Sequence, residues 1–172
     1  LPNLVSTVDA LPHYMDPQNI AMFEKFRIYT KEEIASRTDI LLENYSKVIN
    51  IEAMTMLDMT KKKLLPAAME YGKKICDTAI AKKQLGLDAS AETKLAADLD
   101  SNTAKMYEAM QALESKVNAA KEIGDVLECA KAYRSQVFSA MGDLRTYADQ
   151  LEMLVSAEDW PLPPYSDLLF NV

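Results

Sequence analysis

The side chains that could do chemistry are few and scattered. There is one histidine, His13, and one tryptophan in 172 residues. A lone His is a poor start for a metal site or a triad, and it reads as a surface residue. The two cysteines, Cys76 and Cys129, both fall inside helical patterns and form no Cys-x-x-Cys pair, so they read as two free thiols. The four glycines, at 72, 86, 124 and 142, are isolated, so there is no Gly-rich phosphate loop. His-Glu-x-x-His, Gly-x-Ser-x-Gly and EF-hand patterns do not occur. A di-metal carboxylate bundle would need several inward Glu and a Glu-x-x-His motif, which Glu52 lacks. The residues therefore offer no catalytic, cofactor-binding or metal set.

Two polar residues in apolar seams stand out. Glu52 lies between Ile49 and Met56, and Arg134 takes a seam position in the last helical pattern. Paired inside a bundle they would be a structural device that holds register. The plainer alternative is that Arg134 lies near an end and extends its head to water. Ten methionines, among them Met54, Met56 and Met59, are core or a pliable groove. Lys61-Lys62-Lys63 reads as a solvated face, with an anion contact as a second reading.

The elements that must position these residues are helices. Gly is rare, while Ala, Leu, Glu, Lys and Met are frequent, which favours helix because these side chains lose little rotamer freedom there. Hydrophobic residues make up 49% and charged residues 26%, a globular balance. The formal charge of -7 gives no electrostatic reason to bind phosphate backbones, so nucleic acid is not an expected partner. No run of about 20 apolar residues would span a membrane. The N-terminus has no signal-peptide pattern and no starting Met, which suits an excised fragment.

Residues 1–16 hold Pro2 and Pro12 and read as an extended arm. Asp16-Pro17 starts a short helix, roughly 17–27, with Ile20, Phe23 and Phe26 as its apolar positions. Thr30 and Glu33 form a capping box. The pattern from Lys31 then continues to Leu85, with Ile34, Leu41, Tyr45, Val48, Ile49, Met56, Leu57, Leu64 and Leu65 at helical spacing. Pro66 predicts a kink near 62–66, and Gly86 a C-terminal cap.

Ser90 is read as the cap of a heptad helix whose seam is Leu95, Leu99, Asn102, Met106, Ala109 or Met110, Leu113, Val117 and Ala120. Asp125 caps the last helix, with Leu127, Ala130, Arg134, Val137, Met141, Leu144, Ala148, Leu151 and Val155 as its seam. The whole predicts an all-α protein: an elongated antiparallel bundle of three to four long, partly kinked helices over 17–156. Residues 157–172, with Trp160-Pro161-Leu162-Pro163-Pro164, read as an extended apolar tail pinned to the bundle or to a partner.

Several blocks carry a resemblance. They are Thr7-Val8-Asp9-Ala10-Leu11-Pro12, Ser36-Arg37 with Glu43, and the run from Ile49-Asn50-Ile51-Glu52-Ala53 to Met59. Further on come Ala130-Lys131-Ala132-Tyr133-Arg134, Met141 with Leu144-Arg145, and Trp160-Pro161 with Tyr165-Ser166-Asp167-Leu168-Leu169-Phe170. In order and along nearly the whole chain these resemble the C-terminal region of type III glutamine synthetases. The resemblance implies a cytoplasmic dodecamer that makes glutamine from glutamate, ammonia and ATP with a divalent metal such as Mg. It implies that the catalytic half lies upstream, so no catalytic residue carries over to this chain. The expected role is structure and oligomer assembly, with the chain's own catalytic domain and neighbouring subunits as partners. The alternative is a regulatory module that binds a small molecule or a protein. A third reading, an independent enzyme, lacks any paired acid and base.

Overall fold

A computed structural model describes residues 3–163 and 165–170. Every regular element among them is helical. In chain order these are α1 (Thr7–Ala10), a 3-10 turn (Leu11–Met15), α2 (Pro17–Lys25) and α3 (Lys31–Met59). A π-helical turn (Thr60–Leu64) leads into α4 (Leu65–Gln84), followed by α5 (Ser90–Lys121) and α6 (Val126–Ala132). A second π turn (Tyr133–Val137) leads into α7 (Phe138–Glu152), and α8 (Tyr165–Phe170) comes last. The all-α fold with long helices is as the patterning predicts.

The helix ends follow from local chemistry. In the capping box the Glu33 amide donates to Thr30 Oγ1 at 3.3 Å and the Thr30 amide donates to Glu33 Oε2 at 2.7 Å. Asp125 is extended and accepts from the Glu128 amide at 2.9 Å. Asp16 is extended ahead of Pro17 as expected, but its carboxylate meets His13 Nδ1 at 2.9 Å instead of a helix amide. At α5 the capping side chain is Asp88, two residues upstream of Ser90. Asp88 accepts from both the Ser90 amide, at 3.0 Å, and the Ser90 hydroxyl, at 2.8 Å, so Ser90 is already the first helical residue.

Gly86 closes α4 at φ +74. The Leu87 amide reaches back to the Lys82 carbonyl at 2.9 Å and the Gly86 amide to the Lys83 carbonyl at 3.1 Å, a Schellman motif. The same motif ends α2, with Arg27 in the glycine position at φ 54. There the Ile28 amide bonds the Phe23 carbonyl at 2.9 Å and the Arg27 amide bonds the Glu24 carbonyl at 3.0 Å.

Pro66 is accommodated by the π turn. The Leu65 amide donates to the Thr60 carbonyl, five residues back. Widening the turn relieves the clash between the proline ring and the carbonyl four residues before it, and the helix resumes with Pro66 in its first turn.

The chain forms two compact units. The first holds residues up to 54 and 115–139. In it Val8, Leu11, Leu42 and Ala130 form a buried cluster, with Tyr45, Val126 and Leu127 packed against it. Residues 7–15, expected as an extended arm, are thus coiled instead. Ser6 caps α1 by accepting the Asp9 amide at 3.2 Å, and coiling turns Val8 and Leu11 to the same side, into the cluster.

The second unit holds 55–114 and the residues from 140 onward. Leu64, Leu65, Leu99, Met106, Met110, Leu113, Leu144, Leu151 and Val155 are buried there, and most of them are predicted seam positions. The tail returns to its own unit. Trp160 is buried, and Lys74 on α4 pairs with Asp159. Trp160–Pro163 is non-helical as expected, whereas Tyr165–Phe170 forms the short α8. Pro164 and the last two residues lie outside the described residues.

Candidate functional site

On α3 the buried positions are Ile34, Thr38, Leu42, Ser46, Ile49, Ala53 and Leu57. The Thr38 hydroxyl donates to the Ile34 carbonyl at 2.9 Å and Ser46 to the Leu42 carbonyl at 3.1 Å, so both buried hydroxyls are satisfied. Leu41 and Val48, predicted in the seam, are exposed. With Ile40, Ile51 and Met54 they make a second apolar stripe on the arc of the helix roughly opposite the buried one. Ile40 is 61% and Ile51 64% exposed. On that arc they are interleaved with the exposed polar residues Arg37, Asn44, Lys47 and Asp58.

The second unit holds a cavity of about 580 Å³ beside the first π turn. Met56, Met59, Leu64, Leu144 and Leu162 supply apolar wall, Thr60 and Arg145 polar wall, and Asp149 and Glu152 acidic wall. This brings Met56 and Met59 into one place with the tail residues Leu162 and Leu168. Lys61 next to the turn is engaged with Glu114 at 2.7 Å, and Lys62 pairs with Asp58.

Glu52 and Arg134 are placed differently from a buried pair. Glu52 is exposed, and Arg134 is half-buried with its guanidinium over the Phe138 ring, 5.0 Å from the centroid. The seam position goes to Tyr133 instead, which is buried. Tyr133 and Arg134 follow Ala130 by three and four residues, so both could face inward. The aromatic ring gains more from burial, and the arginine carries its charge outward. Both charges still act on Tyr45, whose hydroxyl is held above its ordinary pKa first by burial; Arg134 opposes the shift and Asp9 and Glu52 add to it.

The second π turn opens with Tyr133. Its hydroxyl donates to Asn50 Oδ1 at 3.2 Å, and burial pushes its pKa up. Cys129, one turn earlier, points its thiol at the Ala120 carbonyl at 3.5 Å. Both cysteines are free, Cys76 exposed and Cys129 half-buried. His13 is exposed. Among the described residues no three His, Cys, Asp or Glu side chains stand together as a metal ion would need. The donor set here does not fit the metal that the resemblance implies, nor is there a glycine-rich cradle for ATP phosphates. No helix among the described residues is long and apolar enough to cross a membrane.

Comparison with known proteins places this architecture. The chain is 37% identical over its full length to a glutamine synthetase of Butyrivibrio fibrisolvens, covering 25% of that protein. It is 28% identical over 99% of its length to a type-3 glutamine synthetase of Dictyostelium discoideum, covering 24% of it. A glutamine synthetase of Bacteroides fragilis (strain YCH46) matches equally, at 28% identity with 24% covered. The chain thus spans about a quarter of the length of the curated relatives it matches. Residues 1–83, which contain α3 with its two apolar stripes, match the family model of the glutamine synthetase C-terminal domain. By that match and by the end-to-end alignments, the chain is similar to the C-terminal domain of glutamine synthetases.

Proposed function

We propose that the chain is a structural and assembly module of a type III glutamine synthetase. In this reading it does no chemistry itself. It covers, and is covered by, the rest of a cytoplasmic polypeptide that ligates ammonia to glutamate at the expense of ATP with a divalent metal. Its partners are then that polypeptide's catalytic portion and neighbouring subunits, in a dodecamer. The observation that carries the reading is the outward stripe of α3, Ile40, Leu41, Val48, Ile51 and Met54, exposed opposite a buried face. Exposed apolar stripes of this kind are where proteins meet other surfaces.

The test is a full-length glutamine synthetase carrying this segment, with Val48→Glu and Ile51→Lys introduced together. Expected is a smaller particle by light scattering and a loss of ligase activity, with the isolated 172-residue chain keeping its Tm. Unchanged particle size and unchanged activity would overturn the reading.

A second reading, a ligand-binding regulatory module, is favoured by the cavity beside the first π turn. It combines an apolar wall of methionine and leucine with the Thr60 side chain. π turns inside α-helices are frequent at functional sites. A thermal-shift screen of the chain against glutamine, nucleotides and 2-oxoglutarate tests it, and a flat response counts against it.

A further inference from the structure

A second, smaller cavity of about 290 Å³ lies in the first unit, between α3 and the turn from α5 to α6. Its polar lining is already sorted by hydrogen bonding. The Ser46 hydroxyl is used by the Leu42 carbonyl, the Cys129 thiol by the Ala120 carbonyl, and Glu43 by Lys47 at 3.0 Å. The Tyr133 hydroxyl gives its proton to Asn50 Oδ1. That bond occupies the amide oxygen and orients the Asn50 amide group, leaving its NH2 with both donors free. Lys121 lines the same cavity, and its ammonium has no partner among the described residues. With the Glu43 charge offset by Lys47, the charge left over in the lining is the Lys121 ammonium, and the free N–H donors are that ammonium and the Asn50 NH2. Ile123 and Val126 supply an apolar wall beside them. On a chain of net charge -7, a donor-lined hollow stands out from its surroundings.

We propose that this cavity binds a small organic carboxylate, its two oxygens shared between the Lys121 ammonium and the Asn50 amide NH2, its short carbon stem against Ile123 and Val126. A carboxylate suits the lining because it is acceptor-only and offers two oxygens to two donors. An apolar stem suits the wall, and inorganic anions have none. The cavity lies at the lower end of the volumes that hold small molecules, so the ligand has only a few carbons. Tyr133 is a positioning residue here: it holds Asn50 in the orientation that presents the NH2. The site is independent of the assembly role and of the larger cavity beside the first π turn.

The test is an NMR titration of the isotope-labelled full chain with butyrate and, separately, with inorganic phosphate. Expected is a saturable shift of the Asn50 side-chain NH2 and of the Gly124 amide with butyrate. Lys121→Met should weaken that binding about tenfold, the loss of one charge-assisted contact. Lys61→Met, outside the cavity, should leave it unchanged. Tyr133→Phe should weaken binding without touching either donor. Should Lys121→Met unfold the chain, which its thermal melt would reveal, Asn50→Asp replaces it: an anion set against the carboxylate should abolish binding. No saturable shift, or equal affinity in wild type and Lys121→Met, overturns the site. Phosphate binding as tight as butyrate binding overturns the carboxylate assignment.

Discussion

Asp159 and Lys74 show how single residues tie the tail to α4 in the second unit. The hydrogen bond from Lys74 holds the Asp159 carboxyl below its ordinary pKa, and the same bond raises that of Lys74. Lys82 lowers Glu92 in the same way, by hydrogen bonding across the turn between α4 and α5. A depressed carboxylate contributes stability that is present above its unfolded pKa and lost as pH falls through its folded one. A raised lysine contributes below its unfolded pKa and loses its part as pH rises through the folded value. The Tm should therefore be level near neutrality, fall below about pH 4 and fall again above about pH 10. Asp159→Asn should lower the Tm at pH 7 and flatten the acid limb, as circular-dichroism melts from pH 3 to 7 would record. A mutant curve parallel to wild type would mean that the pair adds nothing.

At the same scale, we propose that Glu52 and Arg134 act as a loose charge pair around the Tyr45 hydroxyl. A double-mutant cycle of Glu52→Gln and Arg134→Met in the chain should then give a coupling of about 0.2–1 kcal/mol, the range for exposed pairs. A coupling of zero would end that proposal. Neither the exposure of Glu52 nor the choice of Tyr133 over Arg134 for the interior could be read from spacing. Three- and four-residue steps fall on one helical face, and which is taken depends on what the neighbouring helix presents.

Among the elements, α2 and α4 end in the same motif with different residues in its left-handed position. Gly86 has open space around it, so Gly86→Ala costs backbone strain alone, about 1 kcal/mol. Arg27 bears that strain already, so Arg27→Gly should stabilise the chain by up to about 1 kcal/mol. Urea denaturation of the two variants checks both signs at once. Gly86 was legible because glycine after a helical run signals this cap. Arg27 was not, because an arginine there signals nothing. Pro66 was legible as a disturbance, while the form it takes, a π turn reaching from Thr60 to Leu65, depends on how Leu64 and Leu65 are both buried. Along α5 the seam was legible nearly residue by residue. Leu99, Met106, Leu113, Val117 and Ala120 are all buried, because an uninterrupted helix converts spacing directly into direction. On α3 the same reasoning mixed two stripes, since a helix with apolar residues on both faces has no single period to find.

For the whole molecule, burial separates interior from contact surface. Leu144→Ala, at a fully buried site, should cost about 2–5 kcal/mol and be seen as a lower urea midpoint. The paired changes on the outward stripe of α3 should leave that midpoint within about 0.5 kcal/mol. They should act instead on association of the full-length enzyme, which its particle mass would report.

The amino-acid sequence by itself determined the all-α class, the spans of the long helices, most caps, the heptad interior of α5 and, through matching residue blocks, the resemblance to glutamine synthetases. The structural features among these follow from propensity, capping chemistry and spacing, which act over a few residues. Only the tertiary structure decided which stripe of α3 turns inward, that Tyr133 displaces Arg134, and that residues 7–15 coil onto Leu42 and Ala130. It also decided that the tail closes on its own unit and that Asn50, Lys121 and Tyr133 line one cavity. Each of these is a competition between side chains far apart in sequence for the same buried space. Close packing settles it, and no local signal along the chain records the outcome.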